Sequence, residues 1–238
     1  MNIIVLMAGH GSEFDNKDNY PKPLIEVKGK LIVEHVLENI TPLMKNGCSV
    51  FFLVKQSDCE QYYLDNTLKL LAPDSIVIPI SGNTSGAAAT ALLAIGEVSD
   101  SEPLLLINGD QIIDVDLVSC VDQMTEFDAG TLVFDSVHPR WSYVGCDSNG
   151  FVIEAAEKKP ISRLATAGFY FYNNAALFFN AAKQMILKDS HVDNAFYICP
   201  VFNEMILDGK KIKTIKIDRK NYHSFMTLEM VKQFHKID

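Results

Sequence analysis

Residues 2–14 read Asn2-Ile3-Ile4-Val5-Leu6-Met7-Ala8-Gly9-His10-Gly11-Ser12-Glu13-Phe14, an apolar run that breaks into a glycine-rich polar loop. Ile3–Met7 has no alternation of polar and apolar residues, as expected of a strand covered on both faces. Asn2 to Ala8 is too short to span a bilayer and lacks a basic flank. It therefore reads as a first strand rather than a signal peptide. Val50–Val54, Ile76–Ile80 and Leu104–Ile107 repeat the pattern, each bounded by turn residues. Between them Leu31–Met44, Cys59–Leu71 and Ala87–Ile95 carry apolar residues at helical spacing. Strands alternating with helices predict a parallel sheet with right-handed crossovers.

The second half changes character. Gly130–Phe134, Tyr143–Cys146, Phe151–Ala155 and Thr166–Phe171 follow closely on one another, with Ser148-Asn149-Gly150 as a hairpin turn. Helices are expected at Ala175–Leu187, Val201–Leu207 and Leu228–Lys236, and a strand at Lys211–Ile217. No repeat, low-complexity tract or linker divides the 238 residues. The expectation is one domain, 1–238, with a three-layer α/β/α fold of Rossmann-like type around a mixed, mainly parallel sheet. Within it, 1–127 would form a nucleotide-binding part and 128–238 an acceptor-binding part.

The formal charge of −9 disfavours a nucleic-acid partner, which needs a basic face. The five cysteines are odd in number and scattered, without a Cys-x-x-Cys pair, which suggests reduced thiols and a cytoplasmic setting. No run is apolar enough for a membrane span, so no membrane partner is expected.

In open parallel sheets, ligands gather beyond the carboxyl ends of the strands. Three features fall there: the loop after Met7, the loop after Ile80, and Asn108-Gly109-Asp110. Gly9 and Gly11 allow backbone amides to approach a polyphosphate. The third glycine and helix of the dinucleotide fingerprint are missing, and so is a Walker lysine. Lys22, held between Pro21 and Pro23, would lose little entropy on binding a phosphate; a solvated turn lysine is the plain alternative. Asp110 can reach a Mg²⁺ ion bridging phosphate oxygens, or cap a following helix, although Asp114 is better placed for that. Asp114-Val115-Asp116 spells a metal-binding Asp-x-Asp but reads as a helix start. Glu157 and Lys158 suit an acceptor's hydroxyls and phosphate, or form an exposed pair of little value. Arg140 is a candidate for an acidic acceptor group, with Trp141 as a pocket wall.

These motifs, in this order, resemble the sugar-phosphate nucleotidyltransferases, which have a GT-A-like fold. Gly9-His10-Gly11-Ser12 with Pro21-Lys22-Pro23-Leu24 is similar to the family's opening. Thr84-Ser85-Gly86-Ala87 resembles its base and ribose loop, and Ile107-Asn108-Gly109-Asp110 its metal-presenting step. Glu157-Lys158-Lys159-Pro160 resembles the acceptor motif, Thr166-Ala167-Gly168-Phe169-Tyr170 the strand beside it, and Ser224–Glu229 the closing element. The resemblance implies a nucleoside triphosphate and a small phosphorylated acceptor as partners, with Mg²⁺ as cofactor and pyrophosphate as product. It assigns Met7, Ala8, Gly9, Gly11, Ser12, Lys22, Thr84, Ser85, Gly86 and Gly109 to the nucleotide, and Arg140, Glu157, Lys158 and Gly168 to the acceptor. Lys22, Asp110 and Lys158 become the catalytic set. CTP, UTP or dTTP is favoured, with a sugar 1-phosphate or a non-sugar phosphate as acceptor, in the synthesis of capsule or other surface glycans. An oligomer is allowed.

Two positions depart from the family. Glu13 stands where an arginine normally neutralises the triphosphate. Compensation by Lys17 or a second metal, a Glu13 side chain turned away, and loss of turnover are all open at this point. Pro200 stands where many relatives carry a second metal-binding aspartate, so Asn203 becomes the candidate ligand, with Glu204 and Asp218 behind it. A catalytically impaired homologue and a glycosyltransferase using a nucleotide sugar are the alternatives.

Overall fold

The computed structural model describes residues 1–9, 20–45 and 47–236. Strand β1 (Asn2–Leu6) is central, paired in parallel with β4 (Ser49–Lys55) on one side and β6 (Leu104–Asn108) on the other. β5 (Ile76–Ile80) adds in parallel to β4, while β2 (Glu26–Val27) and β3 (Lys30–Leu31) form a separate antiparallel pair. From β6 the sheet continues with antiparallel pairings through β11 (Leu164–Tyr172), β9 (Ser142–Cys146) and β10 (Val152–Glu157). β8 (Ala129–Asp135) also pairs with β11, and β12 (Ile212–Lys216) lies parallel to β8.

The pleat sorts the apolar runs into two layers, because successive side chains point to opposite faces. Ile3, Val5, Phe52, Leu105 and Ile107 join one core with Val33, Val36, Leu68 and Leu117. Ile4, Phe51, Leu53, Leu104 and Leu106 join the other with Ala88, Phe178 and Phe202. The first core is covered by α1 (Ile32–Met44), α3 (Leu64–Leu71), α5 (Leu117–Met124) and α8 (Leu228–His235). The second is covered by α4 (Ala87–Leu92), α6 (Ala175–Leu187) and α7 (Val201–Leu207). The expected α/β/α layering with a mixed sheet is therefore observed. Among the described residues no helix is long and apolar enough to cross a membrane.

Three elements differ from expectation. The single helix expected over Cys59–Leu71 is two, α2 (Gln56–Tyr62) and α3, broken at Tyr63 with φ 55°. The break lets Leu64 and Leu68 turn into the core while α2 buries no residue of its own. A small antiparallel pair, β7 (Gln111–Ile113) with β13 (Tyr222–Ser224), carries the closing element back beside Asp110. α5 starts later than expected: its cap is Asp116, which accepts from the Ser119 amide at 3.1 Å, so Asp114 does not cap it.

Tyr63 is exposed, and a left-handed backbone costs an L-residue about 1 kcal/mol that glycine avoids. Tyr63→Gly should raise the unfolding free energy in urea by about 0.5 kcal/mol, after glycine's own entropy cost; a loss of stability would mean that the ring contributes packing.

Candidate functional site

One cavity of about 860 Å³ opens beyond the carboxyl ends of β1 and β6. It brings together Met7, Ala8, Gly9, Lys22, Thr84, Gly86 and Gly109 from the nucleotide set with Asp110, the candidate metal ligand. Arg140, Glu157 and Gly168 reach it from the acceptor set. Gly11, Ser12 and Glu13 lie outside the described residues. Ser85, Lys158 and Asn203 do not line it.

Glycine is needed where the walls meet. A Cβ on Gly109 would collide with the Met7 side chain and the Leu6 carbonyl, and the Gly109 amide donates to that carbonyl at 2.9 Å. This closeness presents Asp110 directly beside the first loop. Gly86, with φ 105°, lies against the Phe196 backbone, where a Cβ would strike its amide and carbonyl. The Phe196 amide donates to Ser85 O at 2.7 Å, and the Ala88 amide donates to Phe196 O at 2.9 Å. Ser85 is thus engaged through its backbone, as the staple between this loop and the segment carrying Tyr197.

Lys22 opens a short 3-10 turn, Lys22–Leu24, closed by the Leu24 amide donating to Pro21 O at 2.9 Å. Its ammonium meets the Asp110 carboxylate at 2.9 Å, and both side chains are mostly withdrawn from solvent. The Phe225 amide donates to Asp110 O at 2.8 Å, so the closing element fixes the Asp110 backbone while Met226 lines the cavity.

At the other end Glu157 is buried and accepts a hydrogen bond from the Ser142 hydroxyl. Burial pushes its carboxyl up to about 7, against the lowering influence of Ser142 and Lys158. Beside it Thr166 and Tyr170 share a 2.8 Å hydrogen bond on the cavity wall. Gly168, between them, accepts from the Gln111 amide group at 2.9 Å. Trp141 stands edge-on to Phe134 and Tyr222, with the Arg219 guanidinium over all three rings. Trp141 also lines the cavity.

Two candidate residues take partners outside the cavity lining. Lys158 does not line the cavity: its ammonium lies 3.0 Å from Asp193 and over the ring of Tyr197, which does. Tyr197 and Asp193 together hold it above the ordinary lysine range. Asn203 spends both ends of its carboxamide on Ala155, accepting from its amide at 2.9 Å and donating to its carbonyl at 2.8 Å. It ties α7 to β10 and does not line the cavity. The fallback ligands fare no better: Glu204 is buried against Lys188, and Asp218 pairs with Lys220 on the surface.

No group of three or more His, Cys, Asp or Glu side chains gathers for a metal among the described residues. Three carboxylates line the cavity, Asp58, Asp110 and Glu157, and Asp110 is the one at the end of β6 beside Lys22. That fits Mg²⁺, which is commonly held by one or two carboxylates together with substrate phosphates and water. Burial raises the thiols of Cys48, Cys59, Cys120, Cys146 and Cys199, which suits inert core residues.

Sequence reasoning missed the wall formed by Lys55, Asp58, Gln61 and Tyr62. These residues surround or lie on α2, and their exposure as a polar helix face gave no signal of a ligand. Ser142 was recoverable, since it follows Trp141, and Tyr170 closes the Thr166–Tyr170 motif itself.

Asn203→Ala should cost about 2–4 kcal/mol in urea unfolding, by leaving the buried Ala155 groups unpaired, with nucleotide affinity unchanged within about two-fold. Lost affinity at full stability would return Asn203 to the ligand set. Glu157 holds its proton more tightly folded than unfolded, so stability present below pH 4.5 is lost as pH rises to about 7. The loss amounts to roughly 3 kcal/mol, and Glu157→Gln should flatten that slope in unfolding measured across the range. An unchanged slope would place its origin elsewhere.

The family described as Nucleotidyl transferase matches residues 3–214. The bifunctional protein GlmU of Methanocaldococcus jannaschii is 28% identical over 177 residues, 73% of this chain and 40% of GlmU. The chain therefore spans less than half the length of that relative. UTP–glucose-1-phosphate uridylyltransferase AglF of Haloferax volcanii is 28% identical over 229 residues, 92% of this chain and 88% of AglF. Among solved structures, a nucleoside-diphosphate-sugar pyrophosphorylase from Vibrio cholerae RC9 superposes with a TM-score of 0.85 at 24% identity, covering 100% of both chains. With strand order, cavity and sequence match in agreement, the chain belongs to the nucleotidyl transferase family.

Proposed function

We propose that this protein transfers a nucleotidyl group from a pyrimidine nucleoside triphosphate to a small phosphorylated acceptor, in the first place a sugar 1-phosphate. The observation that carries this reading is the shared cavity. Gly9, Lys22 and Asp110 enter it from the parallel half, and Glu157 and Arg140 from the antiparallel half. The division of labour follows: residues 1–127 hold the nucleotide, and 128–238 the acceptor. The name of AglF supports UTP among the pyrimidine triphosphates and glucose 1-phosphate as a first acceptor to test.

An acceptor phosphate is already a nucleophile at neutral pH, so the site needs positioning and charge neutralisation rather than a general base. An acceptor oxygen forms a bond to the α-phosphorus as the bridging α–β P–O bond breaks, and pyrophosphate carries away the electron pair. Lys22 meets the triphosphate as that charge shifts. Glu157, where ionised, accepts from acceptor hydroxyls, with Ser142 orienting it. Arg140 is the acceptor-side cation on the cavity wall, since Lys158 is engaged outside it. Asp110 would hold Mg²⁺, which when bound supplies charge neutralisation across the phosphates. The reading places the enzyme in the cytoplasm, with nucleoside triphosphates at hand, and its product suits the building of surface glycans. A nucleotide-binding homologue without turnover is favoured by Glu13.

The test is pyrophosphate release with Mg²⁺, crossing UTP, CTP and dTTP with sugar 1-phosphates and small non-sugar phosphates. Release with one pair is expected, and Lys22→Ala and Asp110→Ala should each lower kcat/KM by about 100-fold. Unchanged rates in both variants would refute the assignment of the site. Nucleotide binding with no release across the panel would favour the homologue without turnover.

A further inference from the structure

Lys22 and Asp110 lie 2.9 Å apart in a cavity that, on the reading above, receives both a triphosphate and a divalent cation. The residues meant for the two ligands are thus committed to each other before either arrives. Their side chains keep only 18% and 24% of their exposure, so water screens the pair weakly. Both backbones are held: Lys22 lies between two prolines in a closed turn, and Asp110 between the Gly109–Leu6 and Phe225–Asp110 hydrogen bonds. Any change of partner is therefore a movement of side chains.

A triphosphate arriving alone draws off Lys22 and leaves the Asp110 charge facing phosphate oxygens. A cation arriving alone must take Asp110 and leaves the Lys22 ammonium beside it. When both arrive, Lys22 passes to phosphate and Asp110 to the cation, and every charge keeps a partner. We propose that Asp110 is the positioning residue of Lys22, and that nucleotide and cation enter by this exchange of ion-pair partners. The coupling is reciprocal: whatever factor the cation adds to nucleotide affinity, the nucleotide adds to cation affinity.

The test uses Trp141, the sole tryptophan, on the cavity wall. Its fluorescence is titrated with UTP and with CTP, in EDTA and then in Mg²⁺, without acceptor so that no turnover occurs. The proteins are wild type, Asp110→Asn, Lys22→Gln and the double variant, with Asp110→Ser as a second form should Asp110→Asn fail to fold. In EDTA, Asp110→Asn should bind the nucleotide roughly five-fold more tightly than wild type. Most of that gain should vanish when Lys22→Gln is already present, because no pair is left to break. A gain of equal size in both backgrounds would overturn the proposal, for Asp110 would then only repel phosphate. Absence of any gain would overturn it too. Failure of the underlying reading has a separate signature: wild type in Mg²⁺ would show no response to either nucleotide.

Discussion

The pairing of Asn2–Leu6 with a parallel neighbour on each edge is the constraint from which the site follows. Leu6 stands opposite Leu53 on one side and Asn108 on the other, so β1 and β6 end level while β4 runs on to Lys55. The chains leaving β1 and β6 therefore emerge together at one rim of the sheet. The Gly109 amide, bonded to Leu6 O, closes the gap between them. A carboxylate one residue after that glycine must stand over the first loop, and the Lys22 turn brings an ammonium to the same place. Side-chain chemistry here is set by backbone register, which explains why two residues 88 positions apart in the chain meet within hydrogen-bond distance.

The antiparallel half reaches the same rim because β11 runs opposite to β6. With Phe169 opposite Ile107, the stretch Thr166–Gly168 lies beside the carboxyl end of β6. Glu157, Ser142 and Tyr170 follow from neighbouring strands. The two halves are then fastened across the cavity through Phe196, whose backbone bonds to Ser85 and Ala88. The loop expected to read the nucleotide and the segment bearing Tyr197 consequently share one rigid strut. A displacement of either would strain Gly86, which has no room for any side chain.

The layers of the fold were legible because strands buried on both faces, such as β1 and β6, leave unbroken apolar runs. Ile76–Ile80 falls where its apolar run put it, although as an edge strand it is only partly covered, and Ala175–Leu187 and Val201–Leu207 fall where helical spacing put them. The break at Tyr63 was not legible, since helical spacing continues through it and only the pull of Leu64 and Leu68 into the core decides it. Among site residues, those anchored by backbone geometry were readable: Gly9, Gly109 and Asp110 follow strand ends. Lys158 and Asn203 were not, because their side chains were claimed by partners distant in sequence, Asp193 and Ala155. A motif names a backbone position; which way a side chain turns depends on contacts that a motif does not contain.

On the proposed reading, a chain of net charge −9 must take a polyanion with no long-range attraction to rely on. Its binding cations must be local, and an unpaired ammonium in a poorly hydrated cavity would itself be costly. Pairing Lys22 with Asp110 keeps this cation charged and ordered. The cost is that a phosphate must displace a carboxylate before it can use the lysine. At Asp110 the displaced carboxylate faces the cavity, where a cation can take it up. On the proposed exchange, release of Lys22 is therefore helped by a second ligand, whereas the Lys158–Asp193 pair, outside the cavity lining, is a separate contact that no ligand in the cavity has to break.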